Sequence, residues 1–157
     1  MVVVDLGSAP GSWSQYVTEK LKGRVRIVAV DLLEMDALPE VEFIQGDFQE
    51  DAVLEQILAA VGPDGADLVM SDMAPNITGT RVVDQPRSMY LVELALDLAR
   101  QVLKRNGSFV CKLFQGEGFD EFVVDARRSF GKVRVMKPKA SRAGSREVYL
   151  VARNYQL

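Results

Sequence analysis

The chain has 157 residues, 48% of them apolar and 26% charged, with a net charge of −3 at neutral pH. That profile fits one globular domain of 1–157 with a real core and excludes a disordered chain or two ordinary domains. No apolar run approaches the roughly 20 residues that cross a bilayer, and Met1-Val2-Val3-Val4-Asp5 lacks the basic flank and apolar length of a signal peptide.

The elements follow in a regular order. Val2-Val3-Val4-Asp5-Leu6 reads as a buried strand, followed by a Gly-rich turn and a helix from about Ser12 to Leu21. Arg26–Asp31 and Val41–Gln45 read as the second and third strands, and Ala52–Val61 has apolar residues at helical spacing. Asp67–Asp72 reads as a fourth strand, and a long helix runs roughly from Gln85 to Leu103. Gly107–Leu113 reads as a fifth strand and Phe119–Ser129 as a helix; Val133–Val135 and Glu147–Val151 close the chain as strands. Strands alternating with helices predict an α/β architecture: a mostly parallel seven-stranded sheet with helices on both faces. The last two strands have no helix between them, so a hairpin is expected, with one antiparallel strand in the sheet.

Residue chemistry narrows the function further. With no histidine and only Cys111, a histidine-based triad, a disulfide and a cysteine metal cluster are excluded. No metal is expected, and proton transfer rests on Lys, Asp, Glu, Tyr or Cys111. Cys111 itself reads as a small buried apolar residue, and the cysteine usage suits a reducing cytoplasm. Charge is unevenly spread. Residues 1–103 hold 7 Lys/Arg and 17 Asp/Glu, a balance of −10, whereas residues 104–157 hold 12 and 5, a balance of +7. An acidic half and a basic half are expected, although two ordinary solvated faces would give the same counts.

Ligands in this architecture bind at the carboxyl ends of the strands. The groups expected there are Asp5-Leu6-Gly7, Asp31, Asp47, Asp72 and Lys112. Gly7 and Gly11 flank a turn whose spacing is not the dinucleotide G-x-G-x-x-G, which argues against a nicotinamide-dependent dehydrogenase. Asp31 falls 20 residues after Gly11, where an acid accepts hydrogen bonds from both ribose hydroxyls; a lone acid there also serves as a cap or turn former. Asp47, after the third strand, offers an acceptor for an adenine amino group. There is no P-loop lysine, and the acids would repel a pyrophosphate. They suit a ligand carrying a ribose, an adenine, an ammonium and a sulfonium, which is S-adenosylmethionine.

The segments Asp5-Leu6-Gly7-Ser8-Ala9-Pro10-Gly11-Ser12-Trp13-Ser14-Gln15, Val30-Asp31-Leu32-Leu33, Gln45-Gly46-Asp47-Phe48, Ser71-Asp72-Met73-Ala74-Pro75-Asn76, Asp84 to Leu96, Lys112-Leu113-Phe114-Gln115-Gly116-Glu117-Gly118 and Lys137-Pro138 to Ser145-Arg146-Glu147-Val148-Tyr149 resemble, in order, the FtsJ/RrmJ family of RNA ribose 2′-O-methyltransferases. The resemblance implies a Rossmann-like class I methyltransferase fold. It implies methyl transfer from S-adenosylmethionine, leaving S-adenosylhomocysteine, to a uridine 2′-hydroxyl in 23S ribosomal RNA of the large subunit. It implies Gly7, Gly11, Trp13, Asp31, Asp47 and Asp72 in the cofactor site and Asp72, Lys112 and Glu147 in the catalytic set. The family's further catalytic lysine lies upstream of the first strand and has no counterpart here, so a truncated form is expected. Related readings are a cap or transfer-RNA ribose methyltransferase, or a chain that binds cofactor and RNA but catalyses weakly.

Lys112 is the expected general base, or the group that orients the hydroxyl as it loses its proton. As a base it would need its pKa lowered by burial or a neighbouring cation. Its bland alternative is a lysine snorkelling from a strand end; Glu147 could be a cross-strand ion-pair partner, and Trp13 a core residue. Lys137, Lys139, Arg142 and Arg146 cluster before the last strand and are expected to contact RNA phosphates, unless they simply solvate a loop. No membrane and no obligate protein partner are inferred.

Overall fold

The computed structural model describes residues 1–7, 25–32, 41–72, 81–137 and 146–156. In chain order these form β1 (Val2–Leu6), β2 (Arg26–Asp31), β3 (Val41–Gln45), α1 (Asp51–Val61), β4 (Ala66–Ser71), α2 (Arg81–Val102), β5 (Leu103–Phe114), α3 (Phe119–Ser129), β6 (Phe130–Met136) and β7 (Glu147–Tyr155). The expected helix Ser12–Leu21 lies outside the described residues.

The seven strands make one sheet in the order β3-β2-β1-β4-β5-β7-β6. β1 pairs in parallel with β2 and β4, β2 with β3, and β4 with β5. β7 runs antiparallel to both of its neighbours, β5 and β6, so the expected hairpin supplies the single reversed strand. The chain starts at β1, steps outward to β3 and returns to β4 on the other side of β1. The strand order therefore switches between β1 and β4, which opens a crevice at their carboxyl ends.

Local sequence explains the elements. β1 and β2 are near-continuous runs of Val, Ile, Ala and Leu, as strands buried on both faces require. In α1 the buried residues Val53, Ile57 and Val61 recur every four positions, one stripe of a helix. The Gly62 N–H then closes the helix on the Leu58 carbonyl, 3.1 Å away. α3 carries Asp120 and Glu121 in its first turn and Arg127 and Arg128 in its last, charges that complement its dipole.

Three helices and one face of the sheet share a single apolar cluster that includes Val4, Val28, Ile57, Val69, Leu96, Phe109, Phe122 and Leu150. A smaller cluster on the opposite face holds Val3, Ile27, Ala29 and Met70. At the far side of the core, Arg100 of α2 clasps α3. Its Nε donates to Ser129 Oγ at 2.7 Å, and its guanidinium meets Asp125 at 3.0 Å.

Several boundaries differ from those the sequence suggests: β6 spans Phe130–Met136 rather than Val133–Val135, and β7 runs on past Val151 to Tyr155. α2 begins at Arg81 rather than near Gln85 and carries Pro86 inside its second turn, where a proline gives up a backbone hydrogen bond and crowds the carbonyl four residues earlier. β5 begins at Leu103, because pairing with β4 resumes beyond an irregularity. Between the pairs Ala66–Leu103 and Leu68–Ser108 the register advances two residues on β4 and five on β5. Asn106, with φ 70, turns the chain there. The Gly107-Ser108 signal marks the end of that irregularity, not the start of the strand.

Candidate active site

The carboxyl ends of β1, β2, β3 and β4 are tied to one another by backbone bonds. Gly7 N–H donates to Val30 O at 2.8 Å, Gly46 N–H to Asp31 O at 2.9 Å, and Asp72 N–H to Leu6 O at 3.4 Å. These bonds place Gly7, Asp31, Asp47 and Asp72 along one rim. Gly7 has φ 69, a left-handed conformation that a side chain would disfavour, so glycine is needed for the chain to leave β1 in that direction. Asp5, grouped in the sequence with the strand ends, is instead 1% exposed within β1. Asp47 is partly engaged by its own turn: its Oδ1 accepts from Gln49 N–H at 2.9 Å.

The next strand changes the chemistry. Lys112 rises from β5, and its Nζ lies 2.6 Å from Asp72 Oδ1, with the two side chains 19% and 29% exposed. Tyr149 of β7 is paired directly with Lys112, and Glu147 with Phe114, so β7 brings a phenol and a carboxylate beside the ion pair. The neighbours settle the protonation of Lys112. Burial pulls its pKa down, but the Asp72 hydrogen bond and the charges of Asp72, Glu147 and Tyr149 outweigh it and hold the pKa above the ordinary lysine value. Lys112 is therefore an ammonium at neutral pH. The lowered pKa that a lysine base requires is not found, because three acidic groups face the amine where a cation would be needed. Tyr149 is pushed up by burial and by Asp72 and Glu147, against the opposing pull of Lys112. Cys111, adjacent in sequence, points the other way into the core; burial raises its thiol pKa far above the ordinary range, which confirms it as a packing residue.

A residue the sequence did not single out supports this corner. Gln85 of α2 is 5% exposed. Its Nε2 donates to Phe114 O and Glu117 O, each at 3.1 Å, and so fixes the loop that follows Lys112. Gly116 in that loop has φ 149, and a Cβ there would come within 3.0 Å of Arg146 and 3.1 Å of the Gln85 amide. Arg146 locks the loop from the other side. Its NH1 donates to Gln115 O at 3.0 Å, while Gln115 N–H donates to Arg146 O at 2.9 Å. Of the four expected RNA-contacting residues, Arg146 is thus also a strut of the loop, and Lys137 is exposed at the end of β6. Lys139 and Arg142, like Gly11 and Trp13 of the expected cofactor site, lie outside the described residues. Tyr149 and Gln85 both fall in stretches that carry the family resemblance, but what they touch depends on the pairing of β5 with β7 and on the contact of α2 with the loop after β5, which are long-range features.

A cleft of about 790 Å³ opens at the opposite end of the sheet, between Val61–Gly65 and Val102–Arg105, remote from the acids and from Lys112. Among the described residues no group of His, Cys, Asp and Glu is arranged to hold a metal ion, and no helix is long and apolar enough to cross a membrane.

A seven-stranded sheet of this order, with one reversed strand and an acidic rim at the switch point, defines a Rossmann-like class I methyltransferase fold. Human methyltransferase-like protein 13, solved in complex with S-adenosylhomocysteine, shares that fold at a TM-score of 0.68 and 14% identity, covering 99% of this chain and 72% of the other. The profile of the FtsJ-like methyltransferases matches residues 1–155, and the chain belongs to that family. It is 58% identical over 156 residues to the ribosomal RNA large subunit methyltransferase E of Pseudomonas fluorescens, covering 99% of this chain and 75% of the relative. It is also similar to a crystal structure assigned as a ribosomal RNA methyltransferase of Plasmodium falciparum, with a TM-score of 0.82 and 28% identity over 98% of this chain and 86% of the other.

Proposed function

We propose that this chain transfers a methyl group from S-adenosylmethionine to the ribose 2′-hydroxyl of a uridine in 23S ribosomal RNA of the large ribosomal subunit. The observation that carries the reading is the 2.6 Å Lys112–Asp72 pair at the strand ends of a chain 58% identical to a large-subunit ribosomal RNA methyltransferase. The acidic rim fits the donor: Asp31 suits its ribose hydroxyls and Asp47 its adenine amino group, with Gly7 allowing close backbone approach. Gly11 and Trp13 join this set by family resemblance. The donor supplies an electrophilic methyl on a sulfonium.

The protein's part is orientation and proton handling. As an ammonium, Lys112 donates a hydrogen bond to the 2′-oxygen, fixing it in line with the methyl carbon and stabilising negative charge as it develops. Asp72 holds the ammonium in place. The hydroxyl becomes strongly acidic as its oxygen bonds to carbon, so a carboxylate of Asp72 or Glu147 suffices to take the proton late in the step. Lys137, Lys139 and Arg142 contact phosphates near the target, and Arg146 divides its donors between RNA and the loop.

The test is transfer of a labelled methyl group to unmodified large ribosomal subunits, with the product mapped to the nucleotide. A single uridine methylated on its ribose is the expected result. Methylation on a base, or label confined to protein, overturns the reading.

A further inference from the structure

Directly paired residues on neighbouring strands point to the same face of a sheet. Met136, Tyr149 and Lys112 are paired in sequence across β6, β7 and β5. They therefore share the face on which Lys112 meets Asp72. Two residues further along β6, Arg134 pairs with Val151, and two further still, Lys132 pairs with Arg153. The buried residues Phe109, Cys111, Leu113, Val148, Leu150 and Ala152 lie on the opposite parity and join the cluster beneath the helices; Phe130 and Tyr155 join it too, but beyond Asn154, whose left-handed φ of 61 breaks the alternation at that end. Lys132, Arg134 and Arg153 consequently stand on the same surface as the catalytic pair. All three are exposed, and among the described residues none is in an ion pair. β6 contains no acid, and the acid of β7, Glu147, lies at the end beside the active site.

We propose that Lys132, Arg134 and Arg153 form a phosphate-binding rail that holds the RNA backbone flanking the methylated nucleotide. This rests on the reading of RNA as the substrate. Strand geometry sets Lys132 and Arg134 about 7 Å apart along β6, with Arg153 about 5 Å across from Lys132. That spacing is close to the separation of neighbouring phosphates. The same geometry places the rail roughly 12 to 16 Å from the level of Lys112, two strands away, a reach of two or three nucleotides from the target ribose. Charges on an edge strand also protect it from pairing with other chains, which would account for Lys132 and Arg134. It does not account for Arg153, which sits on β7, an interior strand, and doubles the charge at the point where Lys132 already stands.

The experiment compares two triple variants with the unmodified protein, using equilibrium binding of a labelled RNA hairpin across a range of salt concentrations. The first is Lys132→Gln, Arg134→Gln and Arg153→Gln. The second, Arg105→Gln, Arg127→Gln and Arg128→Gln, removes three exposed cations elsewhere and matches the first in net charge. The rail variant is expected to lose about tenfold in affinity and to flatten the logarithmic salt dependence by roughly 2 to 3 units, the counterion release of three phosphate contacts. Its thermal unfolding and its affinity for S-adenosylmethionine stay unchanged. Equal losses in both variants would reduce the effect to net charge and overturn the rail. Unchanged hairpin binding would overturn it too, including the case in which only binding to whole ribosomal subunits falls, since the surface would then contact a protein of the particle. Because binding and not turnover is read, a failed methylation assay would defeat the proposed reaction and leave this result to stand or fall separately.

Discussion

The two halves of the sheet do different chemistry. β3, β2, β1 and β4 end in Gln45-Gly46-Asp47, Asp31, Gly7 and Asp72, a rim of acids. β5, β7 and β6 carry Lys112, Arg134, Lys132 and Arg153 on the adjoining face. The division in the sequence at residue 103, −10 before it and +7 after, coincides with the boundary between β4 and β5, because the strand order keeps the first four strands together. Among the described residues, the acids at the strand ends and the cations Lys132, Arg134 and Arg153 fall on opposite sides of that boundary. A cationic methyl donor and a polyanionic acceptor need opposite surroundings, and the ion pair Lys112–Asp72 is where the two meet.

The sharpest way to break this comparison is at the boundary. Lys112→Ala is expected to lower methyl transfer by about 10²- to 10³-fold, the range for removing one hydrogen-bond donor to an oxygen that develops negative charge, while affinity for S-adenosylmethionine changes little. Labelled transfer at saturating RNA, with calorimetric titration of the donor, separates the two. A variant that loses donor affinity and keeps its turnover would move Lys112 into the acidic half. Asp31→Ala is the converse. Losing hydrogen bonds to a charged acceptor costs about 1.5–3 kcal/mol, so donor affinity is expected to fall roughly 10- to 150-fold, with RNA affinity unaffected. If RNA binding falls as well, the two halves are not chemically separate.

The fold was readable because its signals are local. Apolar runs such as Val2–Val4 and Ile27–Val30 and the stripe Val53, Ile57, Val61 depend only on neighbours in sequence, and the absence of a helix between β6 and β7 already implied the reversed strand. The positions of Gly7, Asp31, Asp47 and Asp72 followed from the rule that loops after parallel strands converge on one rim. What could not be read depends on pairing across the chain. The protonation of Lys112 is set by Asp72, 40 residues earlier, and by Glu147 and Tyr149, more than 30 later. A sequence suggests a lysine base, whereas the assembled site surrounds the amine with acids. The same holds for Arg146, whose fork is turned toward the Gln115 carbonyl by strand pairing.

Gln85 tests whether the boundary must be rigid. Gln85→Leu would leave the carbonyls of Phe114 and Glu117 without the amide they accept from, at a cost of roughly 1–3 kcal/mol. Thermal unfolding is expected to fall accordingly. Because the loop begins three residues after Lys112, kcat should fall more than donor affinity does. A variant that unfolds earlier yet turns over normally would show that the loop supports the fold alone and that Lys112 is held by Asp72 without help.

The smallest effect expected is in the alkaline limb of stability, and its sign follows from two shifts in one direction. Lys112 and Tyr149 both bind their protons more tightly folded than unfolded. For Lys112 the stabilisation is complete below the unfolded value of about 10.4 and is lost as pH rises through the folded value. For Tyr149, neutral beside Asp72 and Glu147, loss begins as pH passes the unfolded value of about 10 and continues up to the folded one. Between the unfolded and the folded values the native state holds more protons than the unfolded chain, so stability must fall with rising pH. Tyr149→Phe removes one of the two titrations, and denaturant midpoints from pH 8 to pH 11, each taken relative to the same protein's midpoint at pH 8, should show a shallower decline than in the unmodified protein. Asp67 provides the opposite control. Burial raises its pKa, but Lys104 and the Val2 N–H at 2.7 Å outweigh that and hold it below the ordinary value. Its contribution is therefore present above about pH 4 and lost in acid, and Tyr149→Phe leaves that acid limb where it is. A variant that shifted both limbs together would have changed the packing of β5 against β7 rather than the charge balance at their junction with β4.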